Sequence, residues 1–126
     1  MLLKLFGSIG GALGFLSVAL GAFGAHSLKE KLSEEMLSIF QKGVYFQMIA
    51  AIGLILIGLL STHLKSLAIL SFSGWFFMAG TLLFSGSLYL LSLTQIRIFG
   101  AITPFGGVCF LLAWAFLTLA CFRGIV

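Results

Sequence analysis

The sequence predicts an all-α membrane protein: one domain over residues 1–126, built as a bundle of four transmembrane helices. Three observations lead there. First, 61% of the residues are hydrophobic and only 8% are charged, against about 25% charged in soluble domains. Second, the charged side chains gather between long apolar runs, each near the roughly 20 residues needed to cross about 30 Å of hydrocarbon. Third, the chain holds 16 glycines, many of them inside those runs. In a water-exposed helix each would cost about 1 kcal/mol against alanine. In a membrane they let a neighbouring helix come close, and packing replaces the missing hydrophobic drive.

The first span is expected from about Leu5 to Ala25. Gly7, Gly10, Gly14, Ser17, Gly21 and Gly24 recur in it at alternating steps of three and four. On a helix they fall within an arc of roughly 100°, a smooth seam for docking. Ile9, Leu13, Leu16, Leu20 and Phe23 cover much of the other side. The run is longer than a signal-peptide core of about 7–15 residues, so a retained span is expected. His26 stands at the end of the seam, a candidate interfacial group that either titrates or caps the helix.

From His26 to Lys42 runs the only long polar connection, and it holds the chain's three acids, Glu30, Glu34 and Glu35. Ser27 with Glu30, or Ser33 with Glu34 and Glu35, would cap a helix start. Leu28, Leu32, Met36, Ile39 and Phe40 lie at helical spacing between charges. These features predict a short amphipathic helix on the membrane surface, between the first and second spans.

The second span is expected from about Gly43 to Leu60, with Tyr45 and Gln47 near its interfacial start. His63 and Lys65 mark its far end. The next connection is short, so spans two and three should be antiparallel neighbours. Ser66 to Ile96 carries no charge, and as one helix would measure about 46 Å. Its membrane part is expected to be Leu67 to Leu93, tilted. There Ser71, Gly74, Met78, Thr81, Ser85, Tyr89 and Ser92 share one face. Ser71, Thr81, Ser85 and Tyr89 are the candidate interior polar face, which should turn into the bundle so that the hydroxyls find partners. If spans one and three face each other, Gly14, Gly21, Thr81 and Ser85 would meet there and close on backbone acceptors. Thr103 as cap and Pro104 at the first helical position then open the fourth span, which Arg123 closes.

The same inventory bounds function. The net charge is +4, but the lysines and arginines are scattered singly or in twos, so no basic stripe for nucleic acid is expected. Cys109 and Cys121 would lie about 18 Å apart along one helix, beyond the Cα reach of about 7 Å for a disulfide. No catalytic, cofactor-binding or metal motif is apparent, and no ionisable group lies at the centre of a span to drive proton coupling. The expected role is a non-enzymatic packing or assembly component, with membrane lipids and either a second copy or another membrane protein as partners. The alternative is a passive conduit or carrier for a small neutral or apolar molecule or a lipid, suggested by the hydroxyls of the third span.

Three strings occur in order: Gly21-Ala22-Phe23-Gly24-Ala25-His26, Leu83-Phe84-Ser85-Gly86-Ser87-Leu88-Tyr89, and Thr103-Pro104-Phe105-Gly106-Gly107. Together they resemble the YgdD/YwdK-like small membrane proteins, domain of unknown function 423. The resemblance covers nearly the whole chain. It implies a multi-pass protein of the cell (inner) membrane and supplies no activity. It also implies a departure. Where the family often carries Tyr-Gln and then a histidine in the second span, this chain has Phe46, Gln47 and Ala50. A proton relay through that histidine is therefore not expected here. The family's habit of placing bases in the second connection and tail leans toward Lys65 and Arg123 being cytoplasmic.

Overall fold

The structure is a computed structural model that describes residues 1–124. Four long apolar helices cross back and forth: α1 (Leu3–Leu28), α2 (Glu34–Leu60), α3 (Leu67–Thr94) and α4 (Thr103–Arg123). The start of α1, the end of α2, the start of α3 and the end of α4 therefore share one end of the bundle. Helix α1 packs along α2, α2 along α3, and α3 along α4. Helices α2 and α3 are central; α1 is the least enclosed of the four.

The expected surface helix is not a separate element. Residues 34–42 are helical, but they are the first turns of α2, which runs unbroken to Leu60. Of the two possible starts, Ser33 is used: its hydroxyl accepts from the Met36 N–H at 3.2 Å, with both glutamates in the first turn. The apolar stripe explains the continuity. Met36 and Phe40 are buried, so the bundle reaches past the expected boundary and draws the whole stretch upright. Gln47 consequently lies midway along α2 and buried, rather than near the interface.

At the fourth span the expected cap is also replaced. Thr103 is the first helical residue, and its hydroxyl serves Ser87 instead of its own helix. A 3₁₀ turn over Arg97–Ala101 leads directly into α4. Helix α3 ends at Thr94; Gln95 follows in the left-handed conformation (φ 59°), with its N–H donating to the Leu91 carbonyl at 2.7 Å.

Two kinds of contact close the bundle. In the first, a ring lies on a glycine of the next helix. An added Cβ on Gly53 would stand 2.6 Å from the Phe77 ring, one on Gly80 2.5 Å from Phe110, and one on Gly43 2.8 Å from Tyr89. Phe6 of α1 lies the same way on Gly74 of α3. In the second, backbones touch. A Cβ on Gly10 would stand 2.7 Å from the Ala51 carbonyl oxygen, and one on Gly106 would stand 2.7 Å from the Phe84 Cα. The core that results is Phe6, Ala50, Leu54, Ile57, Leu70, Phe77, Phe110, Ala113, Leu117 and Ala120. Phe46, Phe84 and Phe110 tie α2, α3 and α4 together, with ring centres 4.7 to 6.2 Å apart.

The α1 seam faces α2. Gly10, Ser17 and Gly24 are its buried points, with Gly24 under the Phe40 ring. Gly14 and Gly21 lie against Ala51, Met48 and Val44. They do not meet Thr81 and Ser85: Gly14 and Gly21 turn to α2, Ser85 bonds Gly43 of α2, and an open gap separates α1 from α3 beside Thr81.

The tightness is uneven, so tolerance should be too. Gly10→Leu and Gly106→Leu should each destabilise by about 1–3 kcal/mol or more, the usual cost of forced overpacking. Gly14→Leu and Gly21→Leu, where an added Cβ would make only ordinary contacts at 3.5 to 4.0 Å, should cost less. Gly11→Ala, which meets nothing within 4 Å, should be neutral or slightly stabilising. Thermal melting in detergent ranks them, and a Gly11 variant as damaging as the Gly10 one would contradict this packing.

Candidate functional site

The polar side chains inside the bundle concentrate toward one end, where α1 and α3 finish and α2 and α4 begin. Two i, i+4 pairs interlock there. On α2, Gly43 and Gln47 share a face; on α3, Ser85 and Tyr89 do. Ser85 Oγ donates to the Gly43 carbonyl at 2.7 Å. One turn on, the Tyr89 ring lies over the bare Cα of Gly43, and its hydroxyl donates to Gln47 Oε1 at 2.6 Å. A side chain at position 43 would push the ring away, so the glycine sets the reach of the phenol.

Gln47 then extends the chain of bonds to the third partner. Its Nε2 donates to the Leu13 carbonyl of α1 at 2.9 Å, and Ser17 Oγ donates to the same oxygen at 2.8 Å. One carboxamide thus joins α1, α2 and α3, and the two bonds assign its oxygen and nitrogen. Gln47 is 3% exposed, so the bonds are made where little water competes.

Beside this relay, Ser87 and Thr103 meet hydroxyl to hydroxyl at 2.6 Å, joining α3 to α4. Deeper in the bundle Ser73 Oγ donates to the Ala113 carbonyl at 2.6 Å. Among the described residues every buried side-chain nitrogen or oxygen has a partner. A π turn over Thr81–Ser85 precedes the relay. Such a turn inserts extra backbone into a helix and rotates the residues beyond it, and here it leads into the face that meets α2. The Phe84 backbone within the turn is where Gly106 of α4 lies closest.

Of the residues picked out by sequence, Ser17, Ser85 and Tyr89 come together through Gln47 and Gly43. Gly7, Gly10, Gly14, Gly21 and Gly24 line the approach of α1 to α2. Thr81 bonds its own helix at the Phe77 carbonyl, 2.9 Å. Ser71 lies near the opposite end, in an open recess with Met1, Leu2, Ser61 and Leu67. His26 is exposed on the last turn of α1, away from the relay. The residue sequence reasoning passed over is Gln47. Its signal was present, a lone carboxamide inside an otherwise apolar run, but placing it at the membrane surface hid it. Ser73 and Ser87 were also missed, because they lie off the face that Ser71, Thr81, Ser85 and Tyr89 define.

The arrangement orients helices; its hydroxyls and its carboxamide are all engaged. Gln47→Leu should leave the Tyr89 hydroxyl unpaired and cost about 1 kcal/mol. In a double-mutant cycle with Tyr89→Phe, the coupling should be about 0.6–1.7 kcal/mol. Strict additivity in reversible unfolding from bilayers or mixed micelles would mean that the two side chains do not interact.

Comparison with known proteins agrees with the three strings in the sequence. Residues 20–107 match the family model described as Protein of unknown function (DUF423). The chain is 45% identical to a UPF0382 membrane protein of Staphylococcus haemolyticus, over 96% of this chain and 98% of that one. It is 43% identical to the UPF0382 membrane protein YwdK of Bacillus subtilis, over 94% and 96%. A UPF0382 membrane protein of Staphylococcus aureus is 42% identical over 96% of this chain and 98% of that one. No solved structure matches. The model match spans α2, α3 and the Thr103–Gly107 string, the segments that supply Gly43, Gln47, Ser85, Tyr89 and Gly106, and the chain therefore belongs to the DUF423 family of membrane proteins.

Proposed function

We propose that this protein is a non-enzymatic packing component of the cell (inner) membrane, and that it assembles with a second copy of itself through the outer face of α1. One observation carries the reading: α1 presents two smooth faces, and the bundle uses only one. The seam of Gly10, Ser17 and Gly24 is spent on α2. Roughly opposite, Gly11, Ala12, Ala19 and Ala22 are exposed, with Phe15 (75% exposed) and Val18 (64%) standing out between them. Small residues beside a projecting ring suit close helix pairing in lipid. A single face that pairs with its own copy needs no second patch, which is how two-fold dimers form.

The engaged hydroxyls weigh against a conduit along α3. Ser85 and Thr81 are bonded to carbonyls and Tyr89 to Gln47, leaving them little to offer a passing solute.

Single-molecule photobleaching of labelled protein in vesicles tests the assembly. The parent should be dimeric at dilutions where Gly11→Leu and Ala22→Leu are monomeric, a loss of about tenfold or more in association, while their melting behaviour stays near that of the parent. A parent that remains monomeric at high protein density would refute self-assembly and direct attention to a different membrane partner.

A further inference from the structure

We propose a binding site for one anionic phospholipid, with an acyl chain in the groove between α1 and α3 and the phosphate at Lys4. The groove is open to the surrounding hydrocarbon. Ile9 and Leu13 of α1 form one wall, and Trp75, Met78, Ala79 and Leu82 of α3 the other, around a space of about 470 Å³. It opens because Phe6 bridges the helices at Gly74 and Trp75, with the Phe6 and Trp75 rings 5.6 Å apart and edge to face. Beyond Phe6, α1 leans onto α2 and leaves α3.

Three further observations choose the occupant. A second, mostly apolar recess, lined by Met1, Lys4, Leu5, Ser8 and Ile9, shares Ile9 with the groove, so the Lys4 side chain stands next to the groove on the side of the membrane surface. The length fits: Lys4 to Leu13 is about 13.5 Å of helix, close to half of a hydrocarbon core of about 30 Å. A chain anchored at Lys4 would therefore reach the bilayer midplane within the groove. The charge fits as well. This end of the bundle carries Lys4, Lys65 and Arg123, while Glu30, Glu34 and Glu35, the chain's three acids, are all at the other end. No carboxylate side chain competes with a lipid phosphate for Lys4, and a lysine near a membrane surface favours anionic lipid. The acyl groove, at Ile9 and Leu13, lies on another side of α1 from the outer face, while the phosphate end at Lys4 and Ser8 borders the row that leads to Ala12 and Phe15.

Trp75 is a built-in reporter, since it lines the groove and is half-exposed. With Trp114→Phe as background it becomes the single tryptophan. Quenching of its fluorescence by acyl-brominated phosphatidylglycerol should exceed that by equally brominated phosphatidylcholine, with a relative affinity of about fivefold at low salt. Lys4→Gln should reduce the preference to about one. Lys65→Gln, at the same end but outside the groove, should leave it in place, and Ala79→Phe should remove it by filling the groove. Equal quenching by both lipids in the background protein would overturn the proposal, leaving only general contact with the bilayer. A preference that survives Lys4→Gln would overturn it too. So would a Trp75 shielded from every brominated lipid, which would place protein in the groove.

Discussion

A glycine on one helix meets a ring or a backbone of the next at nearly every crossing in this bundle, and the other features depend on those approaches. Hydrocarbon tails are as apolar as the side chains they would replace, so burial alone gives two helices no reason to associate. Dispersion must supply it, and dispersion falls away within a fraction of an ångström of misfit. A ring set on a bare Cα gains contact over its whole face. Phe77 on Gly53, Phe110 on Gly80 and Tyr89 on Gly43 are placed this way. The same contacts set helix order, because each glycine accepts a ring from one neighbour only.

Close approach also makes the polar relay possible. The Ser85 hydroxyl is short and reaches the Gly43 carbonyl only where the two backbones come near. The ring-on-glycine contacts already resist sliding, and directional bonds add to that resistance. The relay from Tyr89 through Gln47 to the Leu13 carbonyl therefore helps fix the register of α1, α2 and α3 against one another. Each bond contributes modestly, so their role is to select one arrangement among several well-packed ones, while the glycine contacts provide most of the attraction.

The bundle is not closed evenly. α2 is deeply enclosed and α1 barely so, which leaves α1 with a face toward lipid and a gap toward α3. A helix held on one side by glycine contacts and one carboxamide is the natural place for this molecule to meet something else. The proposed self-assembly and the proposed lipid site both draw on that asymmetry, one on the outward face and one on the gap.

Much of this was legible without coordinates. Hydrophobic length determined the four spans, since each apolar run can satisfy its backbone in lipid only as a helix. The recurrence of Gly10, Ser17 and Gly24 marked a contact face, and Ser33 with two glutamates marked a helix start. The partner of each face was not legible. Periodicity assigns residues to sides of a helix but does not say which helix lies there, and the seam of α1 met α2 rather than α3. The upright course of residues 34–42 was hidden for a related reason: an amphipathic stripe is the same whether it covers lipid or a neighbouring helix, and only the burial of Met36 and Phe40 decides. The importance of Gln47 needed three helices at once. Its two bonds go to residues 34 and 42 positions away in the sequence, and only the tertiary structure brings a carbonyl of α1 and a phenol of α3 within reach of one carboxamide.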